Sequence, residues 1–133
     1  MERNISKEFD RIKEVENWLC NYKSTKAGIE SLKEEYEVLS NNSETENKDI
    51  KLVLVDSRIK MMERKIEKID RALNSLSSIE KEIIEYKCIE GMYYYEFTYR
   101  VYKSERQCKR IKKIALEKVA VALGLYNGTF MSL

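Results

Sequence analysis

The chain has 133 residues, no proline, four glycines and a formal net charge of +2, a length that suits one domain or a small domain carried on an extended helical arm. Charged residues make up 36% of it, divided almost evenly by sign, which excludes both an acidic solvating tail and a uniformly cationic coat for nucleic acid. Lys, Glu, Ile and Leu dominate where turn formers are scarce, so an all-α fold is predicted.

In chain order, Ile5, Phe9, Ile12, Val15, Leu19 and Tyr22 recur every three or four residues and line one face of a first helix. The pattern loosens around Ser24 to Gly28, resumes with Ile29, Leu32, Tyr36 and Leu39, and stops at the polar run NNSETENKD, where the chain must turn. From Leu52 the spacing becomes strict. Leu52, Val55, Ile59, Met62, Ile66, Ile69, Leu73 and Leu76 alternate by three and four, the a/d seam of a coiled coil. A seam of that length needs cover, because each large apolar side chain left wet costs roughly 1.5 to 3 kcal/mol. Two partners are open to it: the N-terminal half, folding back as an antiparallel helical hairpin, and a second copy of the same helix. The matching periodicity of residues 5 to 39 favours the hairpin, and hairpins can then pair.

Ser77-Ser78-Ile79-Glu80 has the form of a capping box, so a new helix is predicted from there, with Ile79, Ile83, Ile84 and Tyr86 on its apolar face and Gly91 as its stop. A short helix from Tyr94 to Val101 follows. Ser104 then caps a third helix running to about Leu123, with Gly124 beyond it. Two helices joined by a tight turn around Tyr102 and Lys103 outline a helix-turn-helix.

That last helix carries the strongest local charge in the sequence. Arg100 to Lys118 holds eight cations against Glu105 and Glu117. At 100° per residue, Cys108, Ile111, Ala115 and Val119 fall on one side, while Arg106, Arg110 and Lys113 fall together on the opposite one with Lys109 flanking. A cationic helix face is most often only a solvated one. Here it starts at a serine cap, one turn after a short helix, which is where a recognition helix enters the major groove. Arg106 and Arg110 suit bidentate contact with guanine, Lys109, Lys112 and Lys113 suit phosphates, and Ser104 and Gln107 stand at the helix start, Gln107 for adenine or backbone. Among the tyrosines, Tyr94 shares a face with Phe97 and Val101 and is expected in the core. Tyr95 and Tyr99, four apart on the other side, are expected to be exposed and available to DNA backbone or a partner.

Other chemistries find little support. With no histidine there is no Ser-His or Cys-His pair, and the many carboxylates alternate with lysines along solvated faces, so no enzymatic site is expected. Cys20, Cys88 and Cys108 are odd in number and widely spaced, which suggests neither disulfides nor a metal site but a reducing compartment. The apolar runs are too short to span a bilayer and no secretory signal is evident, so a soluble protein of the bacterial cytoplasm is expected, without cofactor or membrane contact.

The run EGMYYYEFTYRVYKSERQCKRIKKIAL, residues 90 to 116, resembles the helix-turn-helix of sigma-factor region four. Glu90, Gly91, Glu96, Phe97, Thr98, Val101, Ser104, Glu105, Cys108, Ala115 and Leu116 fall at its offsets. With Trp18-Leu19-x-x-Tyr22-Lys23 and the terminal ALEKVAVALG, the whole chain is similar to phage late-gene transcriptional regulators of the ArpU/RinA type. The resemblance implies a phage or prophage protein of a low-GC Gram-positive host that binds promoter-proximal DNA and switches on packaging or lysis genes, with contact to the host RNA polymerase as a further implication. The sequence departs from the pattern at three places: Tyr102 replaces the turn glycine, Tyr93 the serine that caps the second helix, and Lys103 an apolar residue. Tyr102 must therefore adopt a left-handed conformation, or the turn must differ.

The expected organisation is a hairpin or coiled-coil arm, residues 1–76, mediating homodimerisation, and a three-helix helix-turn-helix domain, residues 77–133, binding double-stranded DNA as a transcription regulator. Two rivals stand beside it. A phage small-terminase-like packaging protein would form an octamer or larger ring, and a structural coiled-coil protein would not shift DNA in a gel.

Overall fold

A computed structural model of the chain describes residues 5–42, 44 and 46–125, with side chains described from residue 10 onward. The described residues form helices and their connections, without a strand: α1 (Ile5–Cys20), α2 (Tyr22–Asn41), α3 (Lys48–Asn74), α4 (Ser78–Ile84) followed by a π-helical turn (Glu85–Ile89), α5 (Tyr94–Val101) and α6 (Glu105–Ala122). No helix among them is long and apolar enough to cross a membrane. The all-α expectation holds. The roles expected of the side chains of Ile5 and Phe9 lie outside the described residues, as does the segment after Leu125.

The chain divides into two compact units, Tyr22–Glu67 and Met1–Asn21 with Lys68–Leu133. This differs from the expected boundary at residue 76, because α1 does not join the hairpin. Its buried residues Val15 and Leu19 belong with α6 and the π turn, against which α1 packs. The break between α1 and α2 also comes earlier than the loosened pattern suggested, at Asn21. The seam is divided accordingly: Val55, Ile59 and Ile66 of α3 serve one unit, while Ile69 and Leu73 of α3, with Leu76 just beyond its end, are buried in the other.

In the Tyr22–Glu67 unit, Ile29 of α2 packs with Val55, Ile59 and Ile66 of α3, and Tyr22, Leu32, Leu39 and Met62 lie against them. Gly28 lies at a close approach, since a Cβ there would come within 2.8 Å of the Met62 terminal methyl. The turn is closed by Asn47 in the left-handed region and by the Lys48 ammonium, which donates to the Ser40 carbonyl at 2.7 Å.

In the other unit, Ile83 of α4, Phe97 and Val101 of α5 and Cys108 of α6 form one buried cluster, with Ile79, Tyr86, Met92, Tyr94 and Ile111 packed on it. Phe97 is fully buried between Tyr86 and Tyr94, whose ring centroids are 5.3 and 5.6 Å away. Removing a phenyl ring from such a site costs about 3–5 kcal/mol.

Both predicted serine caps are present. Ser77 and Glu80 form the reciprocal box at the start of α4, with the Ser77 N–H donating to Glu80 Oε1 at 2.9 Å. Glu80 does more than cap. Its second oxygen accepts from Lys118 of α6 at 2.7 Å, and its side chain is nearly buried. Burial by itself raises this carboxyl, but the Lys118 ammonium together with the Ser77 N–H and hydroxyl outweigh that and hold it below its usual value.

The π turn was not anticipated. Glu90 N–H donates to the Glu85 carbonyl at 2.8 Å, five residues back, and Met92 N–H to the Tyr86 carbonyl at 3.0 Å as Gly91 takes a positive φ and ends the helix where expected.

Candidate nucleic-acid interface

The interface is built on α6, and its start is fixed by local chemistry. Ser104 is extended, its hydroxyl accepts the Gln107 N–H at 3.1 Å, and Gln107 Oε1 accepts the Ser104 N–H at 2.9 Å. This is a second capping box, and it commits part of the Gln107 side chain to the helix end rather than to a ligand. The signal was in the sequence, since Ser104-x-x-Gln107 has the capping-box spacing.

The turn before it departs from the glycine-containing pattern without changing hand. Tyr102 sits at φ 55°, ψ 40°, in the left-handed region. Its N–H bonds back to the Thr98 carbonyl, as does that of Lys103 at 3.3 Å, so the end of α5 is satisfied. The Tyr102 ring is 90% exposed, so packing on the body of the protein does not compensate the left-handed cost of about 1–2 kcal/mol. Tyr93, extended before α5, caps it without a side-chain bond.

Along α6 the inward positions are Cys108, Ala115, Leu116, Val119 and Ala120, all buried. Burial pushes the Cys108 thiol up from its usual value, consistent with a residue that packs as a small apolar group. Arg106, Arg110 and Lys113 are exposed on the opposite side, and among the described residues no ion pair or hydrogen bond engages them. Lys109, also exposed, flanks this stripe, pairs loosely with Glu105 at 3.9 Å and lies 5.5 Å from the Tyr94 ring centre.

Lys112 is not part of this stripe. It is half-buried, and its charge acts on Cys88 of the π turn, whose thiol burial pushes up to about 11 while Lys112 and Lys87 draw it partly back. The docking of α1 on α6 and the π turn narrows the open sector of the helix, which composition could not reveal. One turn beyond Lys113 the outward stripe meets Glu117, so the free cationic surface spans the first three turns.

Beside it lies an aromatic surface. Tyr95 and Tyr99 are exposed on α5 as expected, and Tyr93 stacks on Tyr95 with ring centroids 5.7 Å apart. Arg100 donates to the Tyr99 hydroxyl at 3.0 Å, while Tyr94 is half-buried in the core. Among the described residues no group of three His, Cys, Asp or Glu side chains is placed to hold a metal ion.

A family model matches residues 5–120, almost the whole described chain. The chain belongs to the DUF722 family, described as a protein of unknown function. No curated protein and no solved structure matches it. Ser104, Arg106, Gln107, Lys109, Arg110 and Lys113 gather at one end of α6, and Lys112 turns aside.

Proposed function

We propose that this DUF722 protein is a sequence-specific double-stranded DNA-binding regulator of transcription, of the phage or prophage late-gene kind, and that it acts as a homodimer. The observation that carries the proposal is the outward stripe of Arg106, Arg110 and Lys113. It is exposed, unengaged among the described residues and mounted on a doubly capped helix, while the opposite side of that helix is buried. In this proposal α5, the Tyr102 turn and α6 act as the helix-turn-helix, with α6 in the major groove. Arg106 and Arg110 read base edges, and Lys109 and Lys113 neutralise phosphates beside them. Lys112 contributes to the potential from the side of the helix, and Ser104 holds the helix start from which Gln107 can offer its amide nitrogen. Pairing two copies lets two modest half-site contacts add through effective concentration.

The test is fluorescence anisotropy with duplexes selected from host genomic fragments, run across salt concentrations. The expected result is a steep fall of affinity with salt. Arg106→Ala with Arg110→Ala should abolish preference for the selected site while circular dichroism stays at the parent's helix content. Lys113→Ala should weaken all duplexes alike and reduce the salt slope by about one. If the double variant bound as selectively as the parent, α6 would not be the reading helix. A ring of eight or more copies would favour a packaging protein instead.

A further inference from the structure

In the Tyr22–Glu67 unit the apolar seam of α3 faces α2, yet the opposite side of α3 is apolar too. Ile50, Val53, Leu54 and Met61 are between 62% and 68% exposed. On a helical projection Ile50, Leu54, Ser57 and Met61 fall within about 60° of one another, roughly opposite the Val55-Ile59-Ile66 seam. The stripe is bounded, because its next position after Met61 is the exposed Arg64. Two packed helices have no third layer for such a face, and a strip of this kind on a charged helix marks an interaction site rather than scattered surface apolarity.

From this face we infer that a second copy of the chain covers it, α3 against α3 in antiparallel order about a two-fold axis between Val55 and Asp56. This inference rests on the homodimer proposed above and assigns its surface.

Two features favour a second copy over a different partner. The spacing of Ile50, Leu54, Ser57 and Met61 is four, three, four, which reads the same in both directions. A two-fold therefore sets Ile50 of each copy against Met61 of the other and Leu54 against the small Ser57, the self-matching that an isologous contact requires. Parallel pairing would instead put Leu54 on Leu54 and Ser57 on Ser57, leaving a gap at the serines. The area also suits a dimer. Four such side chains present roughly 450 Å² per copy, and with the stems of Lys51 and Arg58 the pair removes on the order of 1,200 Å² from water, the lower end for a specific interface. A groove of about 640 Å³ beside the stripe, lined in part by Leu39, Leu54 and Met61, can accept apolar side chains from the second copy.

The test is sedimentation equilibrium on the full chain at micromolar concentration, with circular dichroism as the fold control. The parent should be a dimer, and Leu54→Glu should weaken it at least tenfold without loss of helix. Ile50→Lys alone and Met61→Glu alone should each weaken it as well. The two together should restore the dimer, because each lysine then faces a glutamate of the other copy. A parallel pair would set lysine on lysine and glutamate on glutamate, so a double variant that stays monomeric overturns the antiparallel assignment. A Leu54→Glu protein that remains as dimeric as the parent overturns the assignment of this face but leaves the homodimer standing. A monomeric parent overturns both. Loss of DNA selectivity in the Arg106 and Arg110 variants leaves the association constant unchanged, so the two proposals fail separately.

Discussion

The ion pair between Glu80 and Lys118 joins residues 38 positions apart and ties the start of α4 to the last turns of α6. Lys118→Met keeps the aliphatic stem and removes only the charge, leaving a carboxylate that is nearly buried and held by its cap alone. A charge-assisted bond of this kind contributes about 1.5–3 kcal/mol, and for a chain of this size each kcal/mol shifts Tm by roughly 3–5 °C. The half-exposed lysine, with 49% of its side chain accessible, is partly screened, so the lower half of that range applies, a loss of about 5–11 °C. The pH dependence has a definite sign. In the parent the Glu80 carboxyl lies below its usual 4.5, so its contribution is fully present above that value and fades as pH falls through the depressed folded value. In the variant the Lys118 ammonium no longer lowers the carboxyl, and only the Ser77 N–H and hydroxyl still oppose the effect of burial. Thermal unfolding followed by circular dichroism at pH 7 and at pH 3.5 should therefore show a Tm gap that is wide at neutral pH and narrows in acid. A gap of the same width at both values, or none at pH 7, would refute the assignment of the pair as the clamp between α4 and α6.

Tyr102→Gly relieves a left-handed tyrosine but adds freedom to the unfolded chain, so a net gain of about 0.5 kcal/mol is expected in urea unfolding, with DNA affinity unchanged. A loss of stability would mean that the ring makes a contact its exposure conceals. Iodoacetamide at pH 8 should modify the exposed Cys20 within minutes and leave Cys88 and Cys108 intact in the folded protein, because one is buried and the other has its thiol pushed up to about 11. Peptide mass mapping with and without denaturant checks it, and fast native labelling of Cys88 would contradict the packing of α1 over the π turn.

Local features of the fold were legible because their causes are local. The two serine caps, the limits of α5 and the stop at Gly124 follow from side-chain chemistry within a few residues, whereas the left-handed Tyr102 is one of the two outcomes that the resemblance leaves open. The three-four spacing of α3 correctly marked residues that must be covered. What it does not encode is which surface covers them. Ile69 and Leu73 have the same spacing as Val55 and Ile59, yet they serve a different unit, and the docking of α1 on α6 could not be read from periodicity alone. The π turn was hidden for the same reason, since a bond to the fifth residue back arises from packing rather than from any residue's own preference. At the candidate interface, the angular positions of Arg106, Arg110 and Lys113 follow from helix geometry. Lys112 stands about 120° from Arg106, at the edge of the packed side, where burial depends on a neighbour that only the tertiary structure supplies.

The extent of the interface can itself be tested, because Glu117 falls on the outward stripe after Lys113, in the fourth turn of α6. Major-groove helices meet base edges with their N-terminal turns, and the later turns rise toward the phosphate backbone. If α6 enters in this way, Glu117 stands near phosphates and repels them. Glu117→Lys then removes a repulsion and adds a phosphate contact, together worth about 1–1.5 kcal/mol, or roughly a five- to tenfold gain in affinity at low salt, with a salt slope steeper by about 0.9. Because phosphates carry no sequence, the gain should be equal for selected and unrelated duplexes. Anisotropy titrations at two salt concentrations read both quantities. An unchanged affinity would place the fourth turn away from the duplex and confine the contact to the tip of the helix, whereas a gain restricted to the selected site would show that α6 approaches DNA along a different face from the one carrying Arg106 and Arg110.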